Sequence, residues 1–362
     1  MIPHPSMVLT FALHVSLSLV VAFVLLARVR APLSLRYGAL ILGLTGMASF
    51  GIGLLTAPGP GGFAHLLVWS WTLAIVLPTT AFAIAVRAGP AVHVRLVFLA
   101  VGLLGGLLAV DAFVWEPRNL EVSHHQVVSD RIASPLRIAV IADLQTDAPG
   151  DHERTALEAV IAAQPDLILF AGDVIQHHDE SAYANAWATL RGIVAPLRLE
   201  APLGLYMVEG DSEYPHTTWA PHAEALGMTV LPTEPSRHAL RDDVTLTGMG
   251  LRASAREDLA IERPNNGFHV VFGHRPAFAL GSIDADLLLA GHTHGGQVQL
   301  PGWGPLVTLS KVPRSWASGR TELDGNRTLI VSRGVGMERA VAPRIRFWCR
   351  PEVVIIDVLP HG

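Results

Sequence analysis

Residue types that bind metal ions follow five apolar runs between residues 136 and 297 of this 362-residue sequence. Each run has the length and the Val, Ile and Leu content of a buried strand and ends in a polar turn. The runs with their turns are LRIAVIADLQ, PDLILFAGD, LGLYMVEGD, NGFHVVFGH and ADLLLAGHTHGGQ. The polar residues that end them are Asp143, Gln145, Asp173, Asp211, His274, His292 and His294.

This combination of side chains indicates a centre for divalent metal ions. A carboxylate can bridge two cations through its two oxygens, imidazole supplies a neutral nitrogen, and an amide supplies a carbonyl oxygen. Mixed nitrogen and oxygen sets bind Mn, Fe, Zn or a similar ion, and these seven side chains fit two ions better than one. A single Asp or His in a turn is usually structural, but five coinciding strand ends favour a metal centre.

The last of these turns places two histidines one residue apart. Alternate residues of an extended chain point to opposite sides, so a tight bend at Gly295 and Gly296 would let His292 and His294 reach different ions. A surface loop with coincidental histidines is the alternative. Three glycines around the pair, with Gly291 before it, favour the close backbone approach of a binding site.

The elements that must position these residues alternate between strands and helices. HERTALEAVIAAQ and AWATLRGIVAPL are helical segments that lie between the strand-like runs. Strand, polar turn and helix in succession are typical of an α/β layered domain. In such sheets ligands bind where strands end, so the polar turns are the expected site.

The first third of the chain has a different character. Hydrophobic residues make up 50% of the whole sequence and charged residues only 16%, and the excess lies in four apolar runs. Each has the roughly 20 residues that a helix needs to cross a membrane. The first run lacks the basic start of a secretory signal. We expect transmembrane helices at about residues 7–27, 37–57, 63–86 and 96–115, and a linker with a first strand at 116–134.

Arginines in the connections predict the orientation of these helices, because Lys and Arg accumulate on cytoplasmic loops. The connection between the second and third helices, APGPGGFAH, has no charge. The first and third connections contain Arg28, Arg30, Arg36, Arg87 and Arg95. Both of these connections would then be cytoplasmic, and the domain after Trp115 would be extracytoplasmic.

Charge and cysteine content exclude other classes of protein. A formal net charge of -5 argues against a stable nucleic-acid partner, because such proteins present a concentrated basic face. A single cysteine, Cys349, excludes a disulfide framework within the chain and a cysteine-based zinc site.

The motifs DLQ, GDVIQ, GDSE, GHRP and GHTHGGQ resemble, in order and approximate spacing, the five motifs of the calcineurin-like metallophosphoesterases. The family pattern is D-x-H, G-D-x-x-D, G-N-H-D/E, H and G-H-x-H. The similarity runs from about Pro135 to the end, which predicts a phosphoesterase domain at residues 135–362. GGQVQLPGWGPL and the segment from VSRGVGMERAV onward are similar to the membrane-attached or exported bacterial subgroup.

The resemblance implies a fold, a cofactor and an activity. The expected fold is α/β: a four-helix transmembrane region followed by a two-sheet β-sandwich flanked by helices. Two divalent ions, drawn from Mn, Fe, Mg and Zn, would activate water for in-line attack on phosphorus. Carried over by position, Asp143 would bind the first ion, Asp173 would bridge both, His274 and His292 would hold the second, and His294 would return to the first.

Two ligand positions depart from the family pattern. Gln145 replaces the histidine of the first motif. Its carbonyl oxygen is a harder and weaker ligand than imidazole, so we expect a preference for Mn or Mg over Zn. Asp211 stands where an asparagine binds the second ion, which keeps an oxygen ligand and adds a negative charge.

The third motif has also lost its histidine, which in the family helps to position the phosphate and assist the leaving group. Ser212 occupies that position and cannot donate a proton near neutral pH as imidazole does. His177, His178 and His216 are nearby in sequence and could replace it, but a role as solvated turn residues is equally compatible. Glu213 matches the acidic end of the motif, where its implied role is to support its neighbours, and we expect it to serve catalysis.

Two functions of different classes remain open. The first is a membrane-anchored phosphoesterase that cleaves a phosphate monoester or diester, with membrane lipid beside it and a substrate that could be lipid-linked. The second is a non-catalytic or regulatory membrane protein that keeps the fold and part of the metal site. Five retained strand-end ligand sets favour the enzyme. A transport role has little support, because the spans contain few ionisable residues beyond Asp111 and His14.

Overall fold

The structure, a computed structural model, describes residues 5–29, 33–59, 61–264 and 266–361. The chain divides into two compact units. The helical unit comprises Met1–Trp115 and Glu338–Arg344, and the phosphoesterase unit comprises Glu116–Met337 and Ile345–Gly362.

Four stretches in the first third of the chain are long and apolar enough to cross a membrane: Met7–Arg28, Leu35–Thr56, Gly62–Arg87 and Val92–Arg118. The four predicted long apolar helices are therefore confirmed. Arg30, on which part of the orientation prediction depends, lies outside the described residues. The helices are α1 Pro5–Arg28, α2 Leu35–Thr56, α3 Gly62–Trp71, α4 Leu77–Arg87 and α5 Val92–Val110.

A π-helical turn, Thr72–Val76, joins α3 to α4 within the third span, and a second, Asp111–Trp115, follows α5. Polar side chains meet beside the first of these turns. His14 Nε2 lies 3.0 Å from Thr72 Oγ1, which is 2.8 Å from Ser49 Oγ. These buried groups satisfy one another across three helices, as polar groups in an apolar bundle must.

Sixteen strands follow among the described residues. They are β1 Glu121–Ser129, β2 Leu136–Ile141, β3 Leu167–Phe170, β4 Leu205–Met207, β5 Thr229–Val230, β6 Ser236–Arg241, β7 Val244–Met249, β8 Ala260–Ile261, β9 Phe268–Gly273, β10 Ser282–Ile283, β11 Leu287–Ala290, β12 Gln299–Leu300, β13 Gly304–Pro305, β14 Gly319–Leu323, β15 Arg327–Val331 and β16 Glu352–Pro360.

Two mixed six-stranded sheets form the phosphoesterase unit. The first has the order β1-β16-β2-β3-β4-β5 and the second β14-β15-β11-β9-β7-β6. Strand β1 lies within residues 116–134, where the sequence predicted a linker and a first strand. It pairs in parallel with β16, so the last strand of the chain lies between β1 and β2.

The hydrophobic core lies between the two sheets. Ile138 and Leu169 of the first sheet belong to the same buried cluster as Val270 and Leu289 of the second. The outer face of the first sheet is covered by helices, whose apolar side chains form a second buried cluster with the sheet. The helices of this unit are α6 Asp151–Ala162, α7 Glu180–Val194, α8 Trp219–Glu224 and α9 Leu251–Ser254. The predicted two-sheet sandwich flanked by helices is confirmed.

The five predicted strands are β2, β3, β4, β9 and β11, and they are largely apolar because most of their residues are buried. Within the first sheet β2, β3 and β4 are parallel, and within the second β9 and β11 are parallel. Parallel strands end at one edge of their sheet, so each sheet presents its polar turns on one side.

Candidate metal centre

Asp143 and Asp173 form the buried base of the site. Asp143 follows β2, is fully buried, and accepts the backbone N–H of His292 at 3.0 Å and 3.1 Å through its two carboxylate oxygens. Asp173 follows β3, and its Oδ1 accepts the backbone N–H of Ser212 at 2.7 Å. Burial raises the pKa of Asp143, and the negative charge of Asp173 raises it further. Two buried carboxylates this close favour a bound cation.

His274, at the end of β9, lies at the centre of the cluster. Its Nδ1–H donates to the carbonyl of Ala171 at 2.8 Å, so Nε2 faces the acidic residues. Nε2 is 3.2 Å from Asp211 Oδ2 and 3.6 Å from Asp173 Oδ2. Burial opposes protonation of the ring, but the surrounding carboxylates outweigh it and raise the pKa of His274 to about 10. A backbone acceptor on one nitrogen, with the other directed at carboxylates, is typical of a metal-binding histidine.

Asp211 and His292 lie on the more exposed side of His274. His292 Nδ1 is 3.0 Å from Asp211 Oδ2 and 3.3 Å from His274 Nε2. Arg275 donates to both carboxylate oxygens of Asp211 from Nε and Nη2, and the Nε distance is 3.1 Å. Burial alone would raise the pKa of Asp211, but hydrogen bonds from His274, His292 and Arg275 hold it well below its usual range.

His294 lies near Asp143, and Gln145 contacts Asp173 through its backbone. His294 Nε2 is 4.0 Å from Asp143 Oδ1, and Gln145 is buried, with its backbone N–H donating to the carbonyl of Asp173 at 2.8 Å. The chain bends after His294 through Gly295 and Gly296, whose φ angles are 59° and 75°. The two histidines of the His-x-His pair therefore lie near different carboxylates, His292 near Asp211 and His294 near Asp143.

The backbone of the site is strained at the predicted ligands. Non-glycine residues with positive φ are uncommon and cost of order 1 kcal/mol or more each. Five of the seven predicted ligands adopt such angles, namely Asp143 (49°), Gln145 (35°), Asp173 (56°), His292 (70°) and His294 (49°). Strain of this kind persists where the surrounding structure requires particular side chains to converge.

The donor set fits divalent metal ions. Two groups of side chains have ligand atoms within 4.8 Å of one another: Asp143, Asp173 and His274, and Asp211, His274 and His292. The groups share His274, and each contains carboxylate oxygen and imidazole nitrogen, as mixed sites for divalent ions do. The structure thus brings together five of the predicted ligands directly, with His294 near Asp143 and the backbone of Gln145 hydrogen-bonded to that of Asp173.

Glu213 supports the turns that carry two of these carboxylates. Its Oε2 accepts the backbone N–H groups of Asp173 at 2.7 Å and Gly210 at 2.9 Å, and its Oε1 accepts that of Val174 at 2.7 Å. Burial and then the charge of Asp173 raise the pKa of Glu213 to about 7. A Cβ on Gly210 would lie 2.5 Å from the backbone nitrogen of Asp173, so only glycine fits there. Glu213 is therefore a positioning residue.

Replacing Glu213 by Ala should leave three buried N–H groups without acceptors. We expect a loss of about 3 kcal/mol or more in the free energy of unfolding, with turnover reduced roughly 10-fold to 100-fold because the neighbouring ligands shift. Glu213→Gln keeps one acceptor oxygen and should be intermediate in both respects. Thermal unfolding and metal titration of the full chain measure these effects, and an alanine variant with unchanged metal affinity would contradict the positioning role.

Ser212 and the three histidines considered for the acid role occupy different surroundings. The Ser212 hydroxyl donates to Glu213 Oε1 at 3.3 Å. His216 contacts Glu180 Oε1 through Nδ1 at 2.7 Å and the carbonyl of His177 through Nε2 at 2.8 Å. His177 Nε2 is 2.8 Å from the carbonyl of Asp147, and His178 is exposed. Because the ring nitrogens of His216 are both engaged by protein groups, it is poorly placed to replace the lost imidazole.

Two arginines near the site were missed by sequence reasoning. Arg275 follows His274 directly, and its salt bridge to Asp211 offsets the charge that the Asn-to-Asp departure adds. Arg346 is fully buried and lies far from any ligand in sequence. In the sequence, Arg275 could have been noticed as the charged residue inside GHRP. Arg346 lies in the run RIRFWCR, whose composition does not distinguish a buried arginine from one on a basic surface.

Arg346 holds the loop behind Asp143. Its Nη2 donates to the carbonyls of Arg333 at 2.8 Å and Gly334 at 2.9 Å, and its Nη1 donates to that of Cys349 at 3.0 Å. Gly336, in the same loop, donates its N–H to the carbonyl of Asp143 at 2.6 Å. The guanidinium thus fixes the backbone against which the first predicted ligand rests.

Comparison with known proteins agrees with this geometry. Residues 136–296 match the family model of the calcineurin-like phosphoesterases. The metallophosphoesterase YkuE of Bacillus subtilis (strain 168) is 28% identical over 265 residues, which cover 67% of this chain and 87% of that protein. The phosphodiesterase YaeI of Escherichia coli (strain K12) is 27% identical over 256 residues, which cover 67% and 90%.

The matched range contains every predicted ligand and ends at Gly296, directly after the His-x-His turn. Both relatives align over more than four fifths of their own length. With its two-sheet sandwich and its Asp and His clusters, the matched part of the chain is similar to the calcineurin-like metallophosphoesterases, a family of hydrolases.

Proposed function

We propose that this protein is a membrane-anchored phosphoesterase that holds two divalent ions and hydrolyses a phosphate monoester or diester. The observation that carries the proposal is the convergence of two ligand groups on His274. Asp143, Asp173 and His274 form the buried group, and Asp211 and His292 complete the other. A single-ion site would not need both.

The ligands divide between the two ions by position. Asp143, with Gln145 and His294 beside it, would hold the buried ion. Asp211 and His292 would hold the more exposed one, with His274 near it. Asp173 faces both groups, because its Oδ1 is held by the N–H of Ser212 and its Oδ2 is directed toward His274 Nε2 at 3.6 Å. These contacts support the proposal that Asp173 would bridge the two ions.

A pair of divalent ions, when bound, makes water more acidic and offsets negative charge on phosphoryl oxygens. The chain's own groups orient these ligands: Glu213 holds the turns of Asp173 and Gly210, and Arg275 balances Asp211. Neither Ser212 nor His216 is placed to donate a proton to the leaving group. We infer that the leaving group of the substrate needs little protonation, as is true of an acidic alcohol or of a second phosphate.

The helical unit would anchor the enzyme. Its four candidate spans support a multi-pass membrane protein, and the arginines of the first and third connections support an extracytoplasmic position for the catalytic domain. A substrate near the membrane, such as a lipid-linked nucleotide sugar, agrees with this arrangement.

Purified full-length chain in detergent provides the test. Metal analysis should find about two divalent ions per chain, and the protein should hydrolyse a nitrophenyl phosphodiester after loading with Mn²⁺. Chelation should remove turnover, and readdition of the ion should restore it. Two bound ions without turnover on any nitrophenyl ester would favour the non-catalytic alternative instead.

Gln145 should set the metal preference. We expect Gln145→His to raise affinity for Zn²⁺ relative to Mn²⁺ roughly 10-fold or more, because imidazole is a softer ligand than an amide oxygen. Gln145→Glu is the matched control, since it keeps an oxygen ligand and should strengthen binding of both ions. Competitive metal titration measures the ratio. An unchanged ratio in Gln145→His would show that residue 145 does not contact an ion.

A further inference from the structure

A cluster of exposed apolar side chains follows the metal-binding turn. Nine large hydrophobic residues are exposed among the described residues of the phosphoesterase unit, and six of them belong to this cluster. We name it the apolar hairpin surface. It consists of Leu300, Trp303, Leu306, Val307, Leu309 and Trp348.

The surface is built on a short hairpin that is held against the metal site. Strands β12 and β13 pair antiparallel, with Leu300 opposite Gly304, and Trp303 lies in the turn between them. Val298 bridges to Phe347, which places Trp348 beside the hairpin. The carbonyl of Val307 lies 2.6 Å from where a Cβ on Gly296 would be, so the segment packs on the end of the His-x-His turn.

The side chains of this surface are too exposed to serve as part of the hydrophobic core. Trp303 is 70% exposed at the tip of the hairpin, Leu309 is 64% exposed and Trp348 is 62% exposed. Contiguous exposed apolar groups of this size mark interaction sites in soluble domains. An indole at the tip of a turn is typical of residues that anchor in the interface of a lipid bilayer.

The charge around the hairpin fits an anionic lipid surface. From Val298 to Trp316 the segment contains Lys311 and Arg314 and no acidic residue. The Arg314 guanidinium lies 5.7 Å from the centre of the Trp303 ring, and Lys311 is exposed and paired with Glu257. Basic and aromatic residues together favour binding at lipid head groups.

The chain itself keeps this unit near a bilayer. The first segment of the helical unit ends at Trp115, and β1 begins at Glu121. The intervening residues can span no more than about 20 Å even when fully extended. We propose that the apolar hairpin surface inserts into the lipid bilayer in which the helices are embedded, an inference that rests on the proposed anchoring but not on catalysis.

Site-specific fluorescence in vesicles tests this proposal. The native thiol of Cys349 is buried and donates to the carbonyl of His294 at 3.2 Å, so an introduced cysteine can be labelled selectively. Full-length Trp303→Cys and Leu309→Cys would be labelled with a nitrobenzoxadiazole dye and reconstituted into phosphatidylethanolamine and phosphatidylglycerol vesicles. Asp242→Cys, in the exposed turn between β6 and β7 at the opposite end of the second sheet, is the matched control.

Nitroxide groups on lipid acyl chains should quench the label at 303 and at 309 several-fold more strongly than the label at 242, and aqueous iodide should show the reverse order. Labels at 303 and 309 that are as open to iodide as the control, or shielded from both quenchers, would overturn the proposal. Carbonate extraction of the same vesicles distinguishes a failure of the proposed anchoring from a failure of the proposed hairpin insertion. A chain that is extracted refutes the anchoring, whereas an inserted chain with unquenched labels refutes only the insertion of the hairpin.

Discussion

Replacing Asp173 by alanine is expected to lower turnover roughly a thousandfold and to reduce the metal content from about two ions to one or none. The carboxylate belongs to the buried ligand group, and its Oδ2 lies 3.6 Å from Nε2 of His274, which both groups share, so we expect its loss to affect both. Removing several kcal/mol of transition-state stabilisation corresponds to a fall of this size. Metal analysis and hydrolysis of a nitrophenyl phosphodiester by the full chain measure the two effects.

His292→Ala should have a similar effect on turnover while losing mainly the more exposed ion, because its ring contacts Asp211 and His274 but not Asp143. Asp173→Asn is the informative control. It can still accept the N–H of Ser212 but cannot bridge as an anion, so folding should be kept while the second ion is lost. Asp242→Ala, in an exposed turn, should leave turnover unchanged. Full turnover in both Asp173→Ala and His292→Ala would remove the enzymatic interpretation.

Arg346→Leu is expected to destabilise the phosphoesterase unit by on the order of 4 kcal/mol, because it leaves several buried carbonyls without donors. For a unit of this size that loss corresponds to a fall of roughly 10 °C in Tm. We also expect weaker metal binding, because the Arg333 to Gly336 loop that Arg346 holds supports the backbone of Asp143. Thermal unfolding and metal titration of the full chain test both expectations.

Arg350→Leu is the matched control for this experiment. Arg350 is four residues away and carries the same charge, but half of its side chain is exposed, and its Nε lies 4.0 Å from Glu116. A surface ion pair of this kind contributes little to stability. If the two leucine variants unfold at the same temperature, the carbonyl contacts of Arg346 do not stabilise the domain as argued. Arg346→Lys should fall between them, because an ammonium cannot reach all the carbonyls at once.

The order and type of the main helices and strands could be predicted from local residue patterns. Apolar runs of spanning length identified the four helices, since crossing hydrocarbon needs about 20 apolar residues whatever the tertiary context. The runs before Asp143, Asp173 and His274 were recognisable as strands because buried parallel strands are apolar on both faces. The π-helical turns Thr72–Val76 and Asp111–Trp115 were not predicted, because a single extra residue in a turn leaves the hydrophobic period nearly unchanged.

The sequence also predicted the residue types of the site, but it did not predict the geometry of the site. The sequence placed Asp, His and Gln at five strand ends, and the family resemblance supplied roles for them. That His292 lies near Asp211 while His294 lies near Asp143 depends on left-handed backbone angles at both histidines. Such angles arise from packing among distant segments and leave no local signature.

What the sequence by itself determined was therefore the class of protein: apolar helices, an α/β domain, and metal-binding residue types at the ends of its strands. Only the tertiary structure determined which charged side chains contact one another and which backbone segments they hold. Arg275 neutralises Asp211 and Arg346 supports the loop behind Asp143, although neither arginine belonged to a predicted ligand set. The physical reason is that the residue pattern of a strand reflects only whether its side chains are buried, and this is visible in neighbouring residues of the sequence. The ion pair of Arg275 with Asp211 joins residues 64 positions apart, and the contact of Gly336 with Asp143 spans a still longer separation, so both form only after the two sheets have packed.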